Sequence, residues 1–334
     1  MKVAIVGAGA VGGLIAARLA ASGTADVSVL ARGATLAALQ RDGLRVHSHG
    51  VTLQVSVRTS HDAFALGPQD CVIVTVKAPA LADLAPSLAP MLGKSTIILL
   101  AMNGVPWWFC KSLPGFDAPL HSVDRDGRIE RALPLAQMLG CVVHVSARQR
   151  GPGDIEHAMG QGLIVGEPFA GVSERAERVG ALLSSAGFDT QVSGKIRNDI
   201  WYKLWGNLTM NPVSALTGAT IDRMLDDPLV RELCSSAMRE AAVIGDRIGC
   251  RIDQTPDARH TVTAKLGAFK TSMLQDVEAG RAIELDAIVG AVHEIGRRVN
   301  VPTPCIDALL GLTRLMASQR GLYPQPCNAT FNTP

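Results

Sequence analysis

Over the first half of the chain, short apolar runs alternate with stretches of helical spacing; over the second half, long amphipathic segments take over. Residues 2–6 and 26–30 are compact aliphatic runs, as a parallel strand covered on both faces requires. Glycines follow the first run, and residues 14–21 have helical composition. Two more runs, 71–76 and 96–100, flank a predicted helix at 81–92. Strand, helix and strand repeated in this way predict a parallel sheet with helices on both faces. Between residues 141 and 166 lie three β-like pieces with turn signals at 150–153 and 160–162, read as antiparallel additions to the sheet. A helix at 172–185 and a last strand at 188–192 follow. From Lys195 onward glycines thin out and β-branched runs stop, which puts a boundary near Gly194.

Composition narrows the function classes. Apolar residues make up 47% of the 334 positions and charged residues 19%, a globular mixture long enough for two cores. A net charge of +2 carries no polyanion signature, so neither nucleic acid nor an anionic membrane surface is expected as a partner. The seven cysteines (Cys71, Cys110, Cys141, Cys234, Cys250, Cys305, Cys327) are scattered and form no CxxC pair, which fits a reducing compartment. The apolar start is broken by Gly7, Gly9, Gly12 and Gly13 and leads to no cleavage region, so no secretory leader is expected. No stretch of about 20 apolar residues suggests a membrane span. A cytoplasmic protein is the expectation.

The glycines carry chemistry. Gly7-Ala8-Gly9-Ala10-Val11-Gly12 matches GxGxxG directly after a predicted strand and at the start of a predicted helix. Gly7 permits a tight turn, Gly9 lets backbone approach a pyrophosphate, and Gly12 lets helix and strand pack closely. Amide groups at the helix start would then receive the phosphates. The fold class that follows is α/β, an N-terminal Rossmann-type doubly wound sheet over 1–194 with an all-α C-terminal domain over 195–322. Residues 323–334, with Pro324, Pro326 and Pro334, read as an irregular tail. The second strand runs into Arg32 rather than the acidic residue that accepts from a ribose in NAD sites, and a guanidinium suits a 2′-phosphate. NADP is therefore favoured over NAD, with Lys77 after the strand at 71–76 as a second cation.

Lys203, Asn207 and Asn211 recur every four residues in a helical pattern at 198–216, which aligns them on one face. An ammonium and two amides suit a polar anionic substrate; a solvated helix face gives the same spacing. Ser272-Met273-Leu274-Gln275-Asp276 ends one helix before Gly280, and Ile283-Glu284 opens the next, where the dipole keeps a carboxylate ionised. His47-Ser48-His49 alternate as a metal pair would, yet no carboxylate or cysteine lies near in sequence, so an exposed edge is the preferred reading. No GxSxG elbow supports Ser-His-Asp chemistry.

Gly7 to Gly12, Lys77, Asn103-Gly104, Lys203-x3-Asn207-x3-Asn211-Pro212 and Ser272-x3-Asp276-x7-Glu284 together resemble the ketopantoate reductase (2-dehydropantoate 2-reductase) family over almost the whole chain. The resemblance implies NADPH-dependent reduction of a 2-oxo acid to a 2-hydroxy acid, most directly 2-dehydropantoate to pantoate. It implies Lys203 as proton donor and Glu284 beside the cofactor and the lysine. It also implies Asn103 against nicotinamide and substrate, and Asn207, Asn211 and Ser272 against substrate. The chain departs from the family pattern at Ala80, where Gln is frequent, at Ile221, where Asn is usual, and at Trp107-Trp108, where smaller groups stand. The two rings read either as the wall of a pocket for a bulkier oxo acid or as packing at a helix start. A non-catalytic NADPH-binding regulator and an opine-type or β-hydroxyacid dehydrogenase are the competing classes. The apolar faces at 288–295 and 306–315 allow a homodimer.

Overall fold

The computed structural model describes residues 1–323. The proline-containing tail from Pro324 lies outside the described residues. By contacts between Cα atoms the chain divides into two compact units. One comprises Met1–Lys111 and Val123–Ile200, the other Ser112–Ser122 and the chain from Trp201 onward.

The first unit is built on one ten-stranded sheet. Its strands are β1 Lys2–Val6, β2 Asp26–Leu30, β3 Leu44–Ser48, β4 Val51–Val55, β5 Arg58–Ser60, β6 Gln69–Val74, β7 Leu92–Leu100, β8 Met138–Gly151, β9 Asp154–Gly166 and β10 Asp189–Ser193. They run in the order β4-β3-β9-β8-β7-β6-β1-β2-β5, with β10 also paired to β9. The segment from β8 to β5 through β7, β6, β1 and β2 is parallel throughout. β1 is buried over Val3–Val6 and β6 over Cys71–Val74, as uninterrupted aliphatic runs demand. Helices α1 Ala10–Ser22, α2 Gly33–Asp42, α3 Ala63–Leu66, α4 Ala78–Leu84, α5 His121–Asp124, α6 Arg128–Ala132 and α7 Glu174–Ser185 complete the series. α5 carries the division of the units between Ser122 and Val123.

Three expectations change. The segment at 141–166 is two long strands, not three pieces. Residues 150–153 do make the turn, but Gly160 sits inside β9 at φ +77°, where a Cβ would approach the His144 carbonyl oxygen to 2.4 Å. The register slips there, between His144 and Ser146. A glycine in a bulge and a glycine in a turn leave the same mark on a sequence. Within this segment β8 and β9 pair antiparallel, but β8 itself joins β7 in parallel. The helix predicted at 81–92 is the short α4 followed by a 3₁₀ stretch, Ala85–Met91, because Pro86 and Pro90 withhold amide donors. His47 is not on an edge. β3 lies between β4 and β9, and β9 brings Asp154 Oδ1 to 2.8 Å from His47 Nε2, a carboxylate partner that sequence proximity concealed.

The second unit is helical. Its elements are α8 Ile196–Thr217, which carries the division between Ile200 and Trp201, then α9 Ile221–Asp226, α10 Pro228–Arg247, α11 Pro256–Ala264, α12 Ser272–Glu278, α13 Ala291–Arg298 and α14 Pro304–Gln319. A π turn over Asp286–Gly290 precedes α13. Trp201, Leu204, Trp205 and Leu208 bury one face of α8, and the Trp205 indole donates to the Met238 carbonyl at 2.7 Å. Among the described residues no helix is long and apolar enough to cross a membrane.

Candidate active site

The glycine-rich turn joins β1 to α1, at the carboxyl end of a central parallel strand, where open α/β sheets collect ligands. Gly7 has φ +92°, a conformation that side chains resist. A Cβ on Gly12 would lie 2.1 Å from both the Gly7 carbonyl oxygen and Thr75 Oγ1, so any side chain there would push the helix off the turn. The Thr75 hydroxyl donates to the Gly7 carbonyl at 2.6 Å, the Gly7 amide donates to the Leu30 carbonyl at 3.1 Å, and Gln149 Nε2 reaches the Ala8 carbonyl at 3.3 Å.

A phosphate fits this cradle. A Cβ on Gly9 would meet nothing within 4 Å, so open space stands over the start of α1. Gly9 is the N-cap, no side chain caps the helix, and its first turn holds no acidic residue. Unclaimed amide donors and the positive end of the dipole therefore face that space.

The remaining first-unit candidates follow neighbouring strands. Arg32 is exposed at the N-cap of α2, just beyond β2. Lys77 is half-buried at the N-cap of α4, three residues past the end of β6 rather than directly after it. Asn103 is half-buried in the loop after β7, next to Gly104 at φ +84°. Since β2, β1, β6 and β7 are parallel and adjacent, all four groups lie at the same end of the sheet. Trp107 and Trp108 follow in a turn rather than a helix. Both are buried, and both line a cavity of about 30 Å³ that Asn103 also borders.

The second unit holds the other candidates. Lys203 and Asn207 are half-buried on α8, and Asn211 is buried at 4% exposure. The Asn211 Nδ2 has no acceptor among the described residues. Pro212 extends the row, and its missing amide leaves the Leu208 carbonyl without its helical donor. Ser272 is exposed in the first turn of α12, whose N-cap is Thr271. Gly280, at φ +63°, ends that helix. Glu284 is half-buried just ahead of the helical turn that becomes the π segment, and its carbonyl accepts from the Ile288 amide at 3.2 Å. Ile221, which departs from the family pattern, is buried at the first position of α9. Burial pushes the Cys71 and Cys234 thiols up to about 12, which keeps both protonated.

Thr75 and Gln149 are the turn residues that sequence reasoning missed. Thr75 stands at a strand end two residues before Lys77, a readable position. Gln149 arrives from β8, 141 residues away from Ala8, and left no signal.

An uncapped helix start on a glycine turn of a parallel sheet, followed in the chain by a helical unit bearing a Lys-Asn-Asn row, defines a dinucleotide-binding oxidoreductase. Family models narrow the class. The model described as ketopantoate reductase PanE/ApbA matches residues 3–170, and its C-terminal counterpart matches residues 195–317. A 2-dehydropantoate 2-reductase of Mesorhizobium japonicum is 42% identical over 325 residues, covering 97% of this chain and 100% of the relative. A crystal structure from Ralstonia solanacearum MolK2, provisionally described as a ketopantoate reductase, is 54% identical with a TM-score of 0.93, over 96% of this chain and 99% of that one. At 20% identity the fold alone is shared with a D-mandelate dehydrogenase solved with NADH and anilino(oxo)acetate, TM-score 0.84 over 96% and 100% of the two chains. The same holds for a dimeric ketopantoate reductase from Staphylococcus aureus, at 21% identity and TM-score 0.75 over 96% and 100%. The chain belongs to the ketopantoate reductase family.

Proposed function

We propose that the protein reduces a 2-oxo acid to the 2-hydroxy acid with NADPH, with 2-dehydropantoate to pantoate as the leading reaction and Lys203 as the proton donor. The observation that carries the reading is the row on α8: an ammonium one helical turn from one amide and two turns from another, the last buried with no acceptor for its Nδ2 among the described residues. A buried donor without an acceptor is costly to keep unless a ligand supplies the acceptor. The nicotinamide group, when bound, supplies the hydride that adds to the ketone carbon.

The chain's own residues do the rest. Residues 1–194 hold the cofactor: the turn Gly7, Ala8, Gly9, Ala10, Val11 and Gly12 receives the pyrophosphate on the amides at the start of α1, while the Gly7 amide stays on the Leu30 carbonyl and shapes the turn, and Asn103 contacts both nicotinamide and substrate. Arg32, exposed and without an ion pair among the described residues, takes the 2′-phosphate with help from Lys77. Residues 195–322 hold the substrate. Asn207, Asn211 and Ser272 orient it, and Lys203 Nζ donates a proton to the ketone oxygen as negative charge develops there. Glu284 keeps the lysine oriented and borders the cofactor. The relatives named for 2-dehydropantoate support this substrate. Ile221 favours a second reading, a related 2-oxo acid with a more apolar substituent, because a buried isoleucine stands where the family has an amide. A homodimer and a cytoplasmic setting belong to the same proposal. The dimeric neighbour supports the first, and the six described cysteines, none of them in a disulfide, support the second.

Steady-state assays across a panel of 2-oxo acids with NADPH and with NADH test the reading. The expected result is turnover with 2-dehydropantoate and a kcat/KM at least about tenfold higher with NADPH than with NADH, one phosphate-arginine contact being worth about that ratio. No oxidation of either cofactor by any 2-oxo acid would refute it.

A further inference from the structure

Trp107 and Trp108 are buried at 4% and 1% exposure, and neither indole nitrogen has an acceptor among the described residues. Two adjacent buried donors left unsatisfied are unusual, since indole nitrogens find a partner when buried. Both residues line the same cavity, of about 30 Å³, inside the first unit. Its other walls are largely aliphatic, among them Leu81, Leu100 and Ile129; the Asn103 amide lines it too, and neither indole nitrogen finds an acceptor there. The seat of Trp108 is shaped for it: a Cβ on Gly140 would come within 3.0 Å of two atoms of its ring. The ring is held in place, and its N–H with it.

Size limits the occupant. At roughly 10–15 Å³ per water on this measure, the cavity takes about two waters, which is the room of a hydroxymethyl or a carbonyl and not of a phenyl ring. The rings fill the space rather than widen it. Asn103, the residue read above as touching substrate, borders the same cavity.

We propose that Trp107 and Trp108 form a subsite that reads an oxygen on the far substituent of the 2-oxo acid: the indole N–H groups donate to a hydroxyl or carbonyl oxygen while the aliphatic wall takes the attached carbons. This rests on the 2-oxo acid reading. These residues set specificity and do not touch the reacting atoms. A site built to donate to an oxygen rejects the analogue that lacks it more strongly than a greasy pocket rejects a missing methylene.

The test uses the full chain with NADPH and two substrates, 2-dehydropantoate, which carries a hydroxymethyl, and its analogue with ethyl in that place. Wild-type enzyme, Trp107→Phe and Trp108→Phe are compared by the ratio of kcat/KM for the two acids. Both substrates are measured on one preparation, so partial misfolding of a variant cancels in the ratio. The wild type should prefer the hydroxylated acid at least tenfold, and at least one variant should lower that ratio fivefold or more, chiefly through KM. A smaller change in both variants, or no wild-type preference, overturns the subsite and leaves the indoles to ordered water. Failure of the underlying reading looks different: the wild type then turns over no 2-oxo acid at all.

Discussion

A buried amide without an acceptor for its Nδ2 burdens the fold, and among the described residues Asn211 carries that burden at 4% exposure on α8. Leucine at 211 would remove the orphaned donor while filling nearly the same volume, and swaps of this kind are neutral or stabilising. Asn211→Leu should therefore melt at or above the wild-type temperature while kcat/KM for the 2-oxo acid falls by about 100-fold. Thermal denaturation and steady-state kinetics on one sample check both; a clear drop in melting temperature would mean that the amide is a structural group. At this scale the glycines of the turn were legible because each does one steric thing: Gly12 is close enough to Gly7 and Thr75 that nothing larger fits. Thr75 and Gln149, which hold the turn in place, were not, because a hydrogen bond from a distant strand leaves no periodicity behind. Nor could spacing tell an exposed Ser272 from a buried Asn211.

Elements were readable where one period ran long enough. The parallel strands announced themselves as continuous aliphatic runs, and α8 through its row of tryptophans and leucines. The β3–β4 hairpin escaped notice because its outer strand is largely exposed and its pairing with β9 joins residues more than 100 positions apart. Segment 112–122 was equally hidden, although it belongs to the second unit. Glu294 on α13 ties it down, accepting from the His121 amide at 2.9 Å, the Ser122 amide at 2.8 Å and the Ser122 hydroxyl at 2.7 Å, with Arg298 donating at 2.6 Å. Burial pushes the Glu294 carboxyl up, but these donors, led by the Ser122 amide and hydroxyl, outweigh it and hold the group below the usual carboxylate range. A depressed folded-state value means the contribution is complete above the ordinary value of 4.5 and is lost as pH falls through the folded value. Glu294→Gln should cost about 2 kcal/mol at pH 7, the worth of charge-assisted hydrogen bonds in a largely buried site, with the gap from wild type narrowing below pH 4.5. Urea midpoints across that range report it; a gap constant with pH would remove the carboxylate from the account.

For the molecule as a whole, the order of the chain carries the proposed division of labour: a sheet that presents an uncapped helix start, then helices that present an ammonium and amides. Family membership accounts for both halves, since models of the same family match 3–170 and 195–317. What no local pattern could reveal is the cavity beside Asn103, because it is assembled from five separate stretches of chain between Ala78 and Ile200. The central claim is that the ammonium of Lys203 gives its proton to the reduced ketone and does not hold the cofactor. Lys203→Ala, titrated with NADPH by fluorescence and assayed with the best 2-oxo acid, tests it most directly. Cofactor affinity should stay within about threefold of wild type while kcat falls at least about 100-fold, the low end for a lost general acid. Turnover unchanged in the variant would contradict it.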